Sequence, residues 1–284
     1  MTLGAHLQLD LAAHGLVVVR AFAGGEFGAH LVHDKDGCEW VLKSSTRDDV
    51  ISRLDFAAAA TEVLGSRGSP VPAYGIRGQV GDRHWWLQEV LHGDVARPCS
   101  SGVVAQLVGL TAEHRDGALK VARLVDGDLP TSRPSPESID SALSLIRHVD
   151  PVIDDLRRAA GDVQDVRLRT TDIVHGDLHP LNVMSVGDVV TGVFDWDFAH
   201  AGDWRRDLVV LAFWSNALVS VDGPGMAAAA GVAASALHEH VPDDVRALLT
   251  LALLAFEFVF TVEAHPERIP WMAARACEVQ AWWR

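Results

Sequence analysis

The stretch V-H-G-D-L-H-P-L-N, Val174–Asn182, followed by V-F-D-W-D, Val193–Asp197, decides the reading of this chain. Asp177 and Asn182 are five residues apart, and Asp195 lies thirteen beyond Asn182. A short polar loop ending in Asn, with an Asp after the next apolar run, supplies hard oxygen atoms from one base. Phosphoryl transfer needs such a set: a carboxylate beside the attacking hydroxyl, and oxygen ligands for a divalent cation on the nucleotide phosphates. Asp and Asn also favour turns for local hydrogen-bonding reasons, so an ordinary turn between strands is the plain alternative.

Around this block the pattern divides in two. Residues 1–91 read as a β-rich lobe with one helix, and 92–284 as a mainly helical lobe. Leu16–Ala23 is β-branched and apolar, which suits a strand. G-G-E-F-G (Gly24–Gly28) follows, then a short apolar run, the turn D-K-D-G (Asp34–Gly37) and a strand at Cys38–Lys43. Ser44, Ser45 and Thr46 are suited to cap a helix running from Arg47 to Leu64, with Ile51, Leu54 and Ala58 on one stripe. Two further strands are expected at Val71–Ile76 and His84–Val90, and His92–Pro98 reads as a connector. Helices are expected at Gly102–His114, at Pro136–Ala160, from Trp204, from about Met226, at Val245–Ala264 and from Trp271 onward. Short strands are expected at Ile173–Val174, Val183–Val186 and Val189–Phe194.

Composition narrows the function classes. The chain has 284 residues, 49% of them hydrophobic, enough for a sizeable core. A formal net charge of −14 disfavours nucleic acid and anionic membranes as partners and favours a cationic one, or serves solubility alone. The three cysteines are far apart and outside any C-x-x-C pattern, which argues against a disulfide framework or zinc site. No secretory signal is read at the N-terminus, and Leu208–Val221 is too short to span a membrane. A soluble cytoplasmic protein, monomer or weak dimer, is expected. Gly176 and Pro180 keep His175 and His179 off one helical face, so no zinc pair is read there.

H-G-D-x-x-x-x-N followed by D-W-D resembles the aminoglycoside phosphotransferase and choline kinase family, a branch of the protein-kinase-like fold. The related protein-kinase loop is H-R-D-x-x-x-x-N with a later D-F-G. The resemblance implies an α+β, two-lobed fold with an N-terminal antiparallel sheet plus helix and a helical C-terminal lobe. It implies Asp177 as catalytic base, Asn182 and Asp195 as Mg²⁺ ligands, and ATP or GTP as co-substrate. His175 then supports the loop by hydrogen bonding, and Asp207 ties the following helix to it, with Asp203 as that helix's cap.

In this fold a strand lysine reaches the nucleotide phosphates and is held by a helix glutamate. Lys43 closes the third expected strand, and Glu62, four residues after Ala58, continues the apolar stripe. Gly25 and Gly28 sit where the nucleotide loop belongs, although a plain hairpin turn fits equally. Glu89 and Leu91, in W-L-Q-E-V-L-H-G, resemble the hinge whose main chain meets the adenine. Asp197 has three readings: a second metal, the acceptor site, or solvent. Glu257, which interrupts an apolar helix, is a candidate for the acceptor's amines. Trp271, Trp282 and Trp283 read as packing residues.

The substrate implied is a hydroxyl of a cationic antibiotic, an aminoglycoside or a capreomycin/viomycin-type cyclic peptide. A metabolic kinase acting on choline, ethanolamine, homoserine or a sugar shares all these residues. A silent nucleotide-binding module is opposed by the complete set, and a structural protein leaves the spacing unexplained.

Overall fold

A computed structural model describes residues 4–22, 28–146, 151–163 and 166–282. Ten strands and eleven helices are formed among the described residues. The chain opens with helix α1 (Ala5–Ala13), then strands β1 (Val17–Ala21), β2 (His30–His33) and β3 (Glu39–Ser45). Helices α2 (Asp48–Ile51) and α3 (Leu54–Gly65) follow, then β4 (Tyr74–Val80) and β5 (Arg83–Glu89). These five strands make one antiparallel sheet in the order β1-β2-β3-β5-β4.

Alternation along β3 and β5 gives this sheet two different faces. Leu42, Trp85 and Leu87 point to one face and pack with Leu7 and Leu11 of α1. Trp86 points to the other, where Val50 of α2 and Leu54 of α3 cover it. No element is expected before Leu16 from the sequence, yet Leu7 and Leu11, one helical turn apart, seat α1 on the sheet. Trp85 anchors that helix by donating from its indole Nε1 to Asp10 at 2.7 Å.

Three expectations about this lobe need correction. Ser44 and Ser45 extend β3 instead of capping a helix, because they continue the ladder with Trp85 and His84. The expected helix from Arg47 to Leu64 is two helices, broken at Ser52–Arg53, so the stripe of Ile51 and Leu54 does not carry its phase forward to Glu62. The strand expected from Val71 begins at Tyr74, since Pro70 and Pro72 have no amide hydrogen for a ladder.

The second lobe begins with β6 (Asp94–Val95), α4 (Ser101–Ala112), α5 (Ala118–Val121), α6 (Pro136–Ser144) and α7 (Pro151–Asp162). The single helix expected over Pro136–Ala160 is therefore α6 and α7; residues 147–150 between them lie outside the described residues. Strands β7 (Asp172–Val174), β8 (Val183–Val186), β9 (Val189–Val193) and β10 (His200–Gly202) surround the polar loop. Helices α8 (Arg205–Asp222), α9 (Ala227–His240), α10 (Asp243–Ala264) and α11 (Ile269–Val279) complete the fold. β8 and β9 form a hairpin with β6 at its edge, and β7 pairs with β10.

Helix α10 is long and apolar enough to cross a membrane by composition, but 72% of that apolar window is buried within the fold. Leu249, Leu254 and Phe258 of α10 share one core with Leu211 and Phe213 of α8. That core is continuous with Phe56, Ala60 and Leu64 of α3, so the two lobes are packed together beside the polar loop.

Gly78 of β4 sits opposite the fully buried Trp85. A β-carbon there would lie 2.5 Å from the indole ring. Gly78→Val is expected to lower unfolding stability by about 1–3 kcal/mol through overpacking. A urea titration followed by tryptophan fluorescence measures this, and an unchanged midpoint contradicts it.

Candidate active site

The loop after β7 is held by a buried carboxylate. Asp207, in the first turn of α8, accepts from the backbone N–H of His175 at 2.9 Å and of Gly176 at 3.0 Å. His114 Nδ1 lies 3.3 Å from the same side chain. Burial alone would raise the Asp207 pKa, but the hydrogen bond of His114 and the backbone N–H of His175 hold it below the ordinary carboxylate value. Gly176 has φ +85°, and a β-carbon would sit 2.6 Å from the Phe198 carbonyl oxygen. The loop therefore turns here only because residue 176 is glycine.

The His175 ring reaches across the loop. Its Nε2 donates to the Phe194 carbonyl at 2.9 Å, and its Nδ1 accepts from the Asp177 N–H at 3.2 Å. Together these bonds require the neutral Nε2–H tautomer. Burial lowers the His175 pKa and so favours that neutral form, against the opposing pull of Asp207 and Asp177. One ring thus fixes the base of Asp177 to the residue preceding Asp195.

Pro180–Asn182 forms a single 3₁₀ turn, which brings Asn182 back over Asp177. Asn182 Nδ2 donates to the Asp177 carbonyl at 3.0 Å and to its carboxylate Oδ2 at 2.9 Å. The same nitrogen is 3.2 Å from His179 Nε2, and His179 is 3.4 Å from the Asp177 carboxylate. Those contacts commit the amide nitrogen and leave the Asn182 carbonyl oxygen as the atom available to a ligand. The sequence presents His179 only as half of a rejected zinc pair; the structure makes it a neighbour of both Asp177 and Asn182. Its ring lies 5.6 Å from that of Trp214 of α8, which stacks at 6.1 Å on Trp271 of α11.

Asp195 occupies the left-handed region, φ +68° and ψ +53°. A 3₁₀ turn over Trp196–Phe198 follows at once. This turn brings Asp195 and Asp197 to one point. That point is Lys43 of β3, whose Nζ is 2.7 Å from Asp195 Oδ1 and 2.8 Å from Asp197 Oδ2. Burial opposes the Lys43 charge, but the two carboxylates outweigh it and its pKa is raised. Burial likewise opposes Asp195, whose pKa is nonetheless lowered by Lys43. Asp197 is raised by burial and by the neighbouring charge of Asp195, which together outweigh Lys43.

Two expectations are corrected by this geometry. Glu62 does not pair with Lys43: it is exposed on α3, whose buried face carries Ala57, Ala60, Thr61 and Leu64. Asp197 neither faces solvent nor lines an acceptor surface. It is 2% exposed and turned inward onto Lys43.

The other expected site residues fall as follows. Gly25 lies outside the described residues; Gly28, at φ +62°, precedes β2. Glu89 ends β5, where its backbone N–H donates to the Ala73 carbonyl at 2.8 Å and its side chain accepts from the Ala73 N–H at 3.1 Å. The side chain of Leu91 lies over Gly192 of β9, at the junction between the lobes. Glu257 is buried on α10, where its charge acts on the half-buried Arg206. Asp203 accepts from the Arg205 N–H at 3.1 Å and from the Arg169 N–H at 3.0 Å.

The donor set suits a hard divalent cation: the Asn182 carbonyl and the Asp195 carboxylate are the hard oxygen donors such a cation favours, with room beside them for phosphate oxygens and water. Asp197 Oδ1 is a buried oxygen with no hydrogen-bond partner beside them. No cluster of three or more His, Cys, Asp or Glu suited to an all-protein metal site occurs among the described residues.

Replacing Asp207 by Ala leaves two buried loop amides without an acceptor. We expect a stability loss of about 2–5 kcal/mol. The carboxylate's contribution is complete above its unfolded value of about 3.9 and is lost as pH falls through its lower folded value. Urea midpoints from about pH 3 to about pH 7, compared for the parent and Asp207→Asn, check this. The gap between the two proteins should narrow toward acid, and a constant gap contradicts the assignment.

The sequence model of the phosphotransferase enzyme family matches residues 18–247. No curated protein matches the chain in sequence. Among solved structures, aminoglycoside phosphotransferase APH(4)-Ia is 16% identical with a TM-score of 0.68, covering 98% of each chain. Amicoumacin kinase hAmiN, solved with AMP-PNP, Ca²⁺ and Ami, is 13% identical with a TM-score of 0.67, covering 98% of this chain and 93% of that one. Macrolide 2'-phosphotransferase MphH from Brachybacterium faecium is 21% identical with a TM-score of 0.57, covering 95% and 97%. The shared architecture is the two-lobed, protein-kinase-like fold.

Proposed function

The chain belongs to the phosphotransferase enzyme family, and from that premise we propose that it moves the γ-phosphoryl group of ATP or GTP to a hydroxyl of a cationic antibiotic, an aminoglycoside or a capreomycin/viomycin-type cyclic peptide. The observation that carries the reading is the convergence of Lys43 on Asp195, beside the Asp177–Asn182 pair. In this reading Asp177 orients the acceptor hydroxyl and takes its proton as the new O–P bond forms. The bond from the γ-phosphorus to the bridging oxygen breaks, and the nucleoside diphosphate leaves. Lys43 neutralises phosphate charge, and Asn182 and Asp195 hold Mg²⁺, which when bound shields the phosphate oxygens. Because the transition state is loose, rate comes from positioning and charge rather than from a covalent intermediate.

The cationic class rests on the net charge of −14, with Asp177 and Asp195 at the cleft and Glu257 on α10 as the candidate carboxylates. A second reading is favoured by one observation. Trp214, stacked on Trp271, stands beside His179 of the loop and offers an apolar flank for a large ring such as a macrolide. The metabolic acceptors (choline, ethanolamine, homoserine and sugars) complete the set to be separated.

Mg²⁺-dependent release of ADP or GDP against a panel of these compounds tests the class. Stimulation by one cationic drug is the expected result, and turnover only on a metabolite moves the chain to that branch. With the acceptor identified, Asp177→Asn should lower kcat by about 10²–10⁴-fold while nucleotide affinity stays within about twofold. Asp195→Ala should weaken Mg²⁺-nucleotide binding as well. Near-parental turnover in Asp177→Asn sinks the base assignment.

A further inference from the structure

We infer that Asp197, and not a helix glutamate, is the carboxylate that positions Lys43 for the nucleotide. The inference rests on the nucleotide-site reading above and concerns how that site is held. A lysine ammonium on a strand swings on four rotatable bonds, so a partner must fix it where the phosphates arrive. The helix over the sheet is the usual place to look for that partner. Here α2 and α3 carry four carboxylates, Asp48, Asp49, Asp55 and Glu62, and all four face solvent. Asp49 and Asp55 are moreover engaged by Arg47 and Arg77 on that outer surface.

The buried face of α3 includes the small side chains Ala57, Ala60 and Thr61, and the helix packs against the turn Trp196–Phe198. That close approach delivers Asp197 to Lys43. Its carboxylate is 2% exposed and 2.8 Å from Nζ, whereas that of Asp195 is 31% exposed. The two carboxylates therefore differ in what they can do. Asp195 sits at the cleft surface, in a left-handed backbone conformation, where a metal-bound phosphate can draw it away from Lys43. Asp197 is enclosed and has nowhere else to go. Once Asp195 turns to the cation, Asp197 remains as the fixed partner of the ammonium. Residues Trp86 and Tyr74 close the pocket on the sheet side: Trp86 is in register with Lys43, and Tyr74 is in register with Gln88 and packs on Trp86. The buried Asp197 Oδ1 has no hydrogen-bond partner, so Lys43 is the cation on which this side chain depends.

A residue acting through another shows itself by non-additivity. Binding of Mg²⁺-AMP-PNP is measured by calorimetry for the parent, Asp197→Asn, Asp197→Glu, Lys43→Met, Glu62→Gln and the double variant Lys43→Met with Asp197→Asn. Asp197→Asn is expected to weaken binding about tenfold, the size of a typical coupling between contacting groups, with Asp197→Glu recovering part of the loss. The same Asp197→Asn change should have no further effect in the Lys43→Met background, and Glu62→Gln should bind as the parent does. Thermal unfolding identifies any variant that fails to fold, and the double variant, which removes both charges together, relieves the uncompensated buried carboxylate left by Lys43→Met alone. Parental affinity in Asp197→Asn, an undiminished loss in the Lys43→Met background, or a loss in Glu62→Gln each overturns the inference. Parental affinity in Lys43→Met overturns the nucleotide-site reading beneath it, which separates the two failures.

Discussion

A single enclosed carboxylate, Asp207, sets the geometry on which the rest of the site depends. It accepts from two consecutive backbone amides, His175 and Gly176, at 2.9 and 3.0 Å, and a third group, His114, comes to it from the end of α4. An amide left without an acceptor in such a place costs more than a hydrogen bond gains, so the loop has one low-energy course. From that course the rest follows. His175 must lie beneath Asp177, its ring must be neutral to donate to Phe194 while accepting from Asp177, and Asp195 must emerge one residue later. Helix α8 carries this carboxylate from within the core shared by α10, so the stiffness of the loop is borrowed from the largest apolar packing in the molecule.

The opposite side of the cleft is built on a different principle. Lys43 comes from a strand whose alternate residues face opposite ways. Leu42 is committed to the α1 side and Lys43 to the α3 side. A buried ammonium is costly unless paired, and both of its partners come from one turn in the other lobe. The lysine thus joins the sheet lobe to the helical lobe at the point where, in the proposed mechanism, phosphate binds. In the proposed mechanism nucleotide binding exchanges one of these carboxylates for phosphate and metal and keeps the other.

What is legible in the sequence follows from how locally each feature is encoded. The loop from His175 to Asn182 is spelled out by adjacent residues, since Gly176 and Pro180 restrict the backbone whatever surrounds them. The strand β3 is carried by the partial alternation of Cys38–Lys43, and β5 by its run of Trp and Leu. Glu62 shows where such reading stops. A stripe drawn through Ile51, Leu54 and Ala58 assumes one helix phase, and the break at Ser52–Arg53 resets it. Nothing in the local composition announces that break. The roles of His114 and Asp197 are likewise illegible, the first because 93 residues separate it from its partner, the second because it depends on how closely α3 approaches a turn. Helix α1 escapes notice because its burial is conferred by the sheet beneath it.

The acceptor is the least specified part of the site. In the proposed mechanism phosphate chemistry rests on Asp177, Asn182 and Asp195, whereas the flanks on α8, α10 and α11 offer both aromatic rings and the opposite charges of Arg206 and Glu257. The most direct test of the central claim is phosphorus NMR of the protein with nucleotide, Mg²⁺ and a stimulating acceptor. The predicted result is a nucleoside diphosphate and a phosphomonoester of the acceptor appearing in equal amounts, only when Mg²⁺ is present. Inorganic phosphate in place of the ester, or ester formed equally well without a divalent cation, contradicts it.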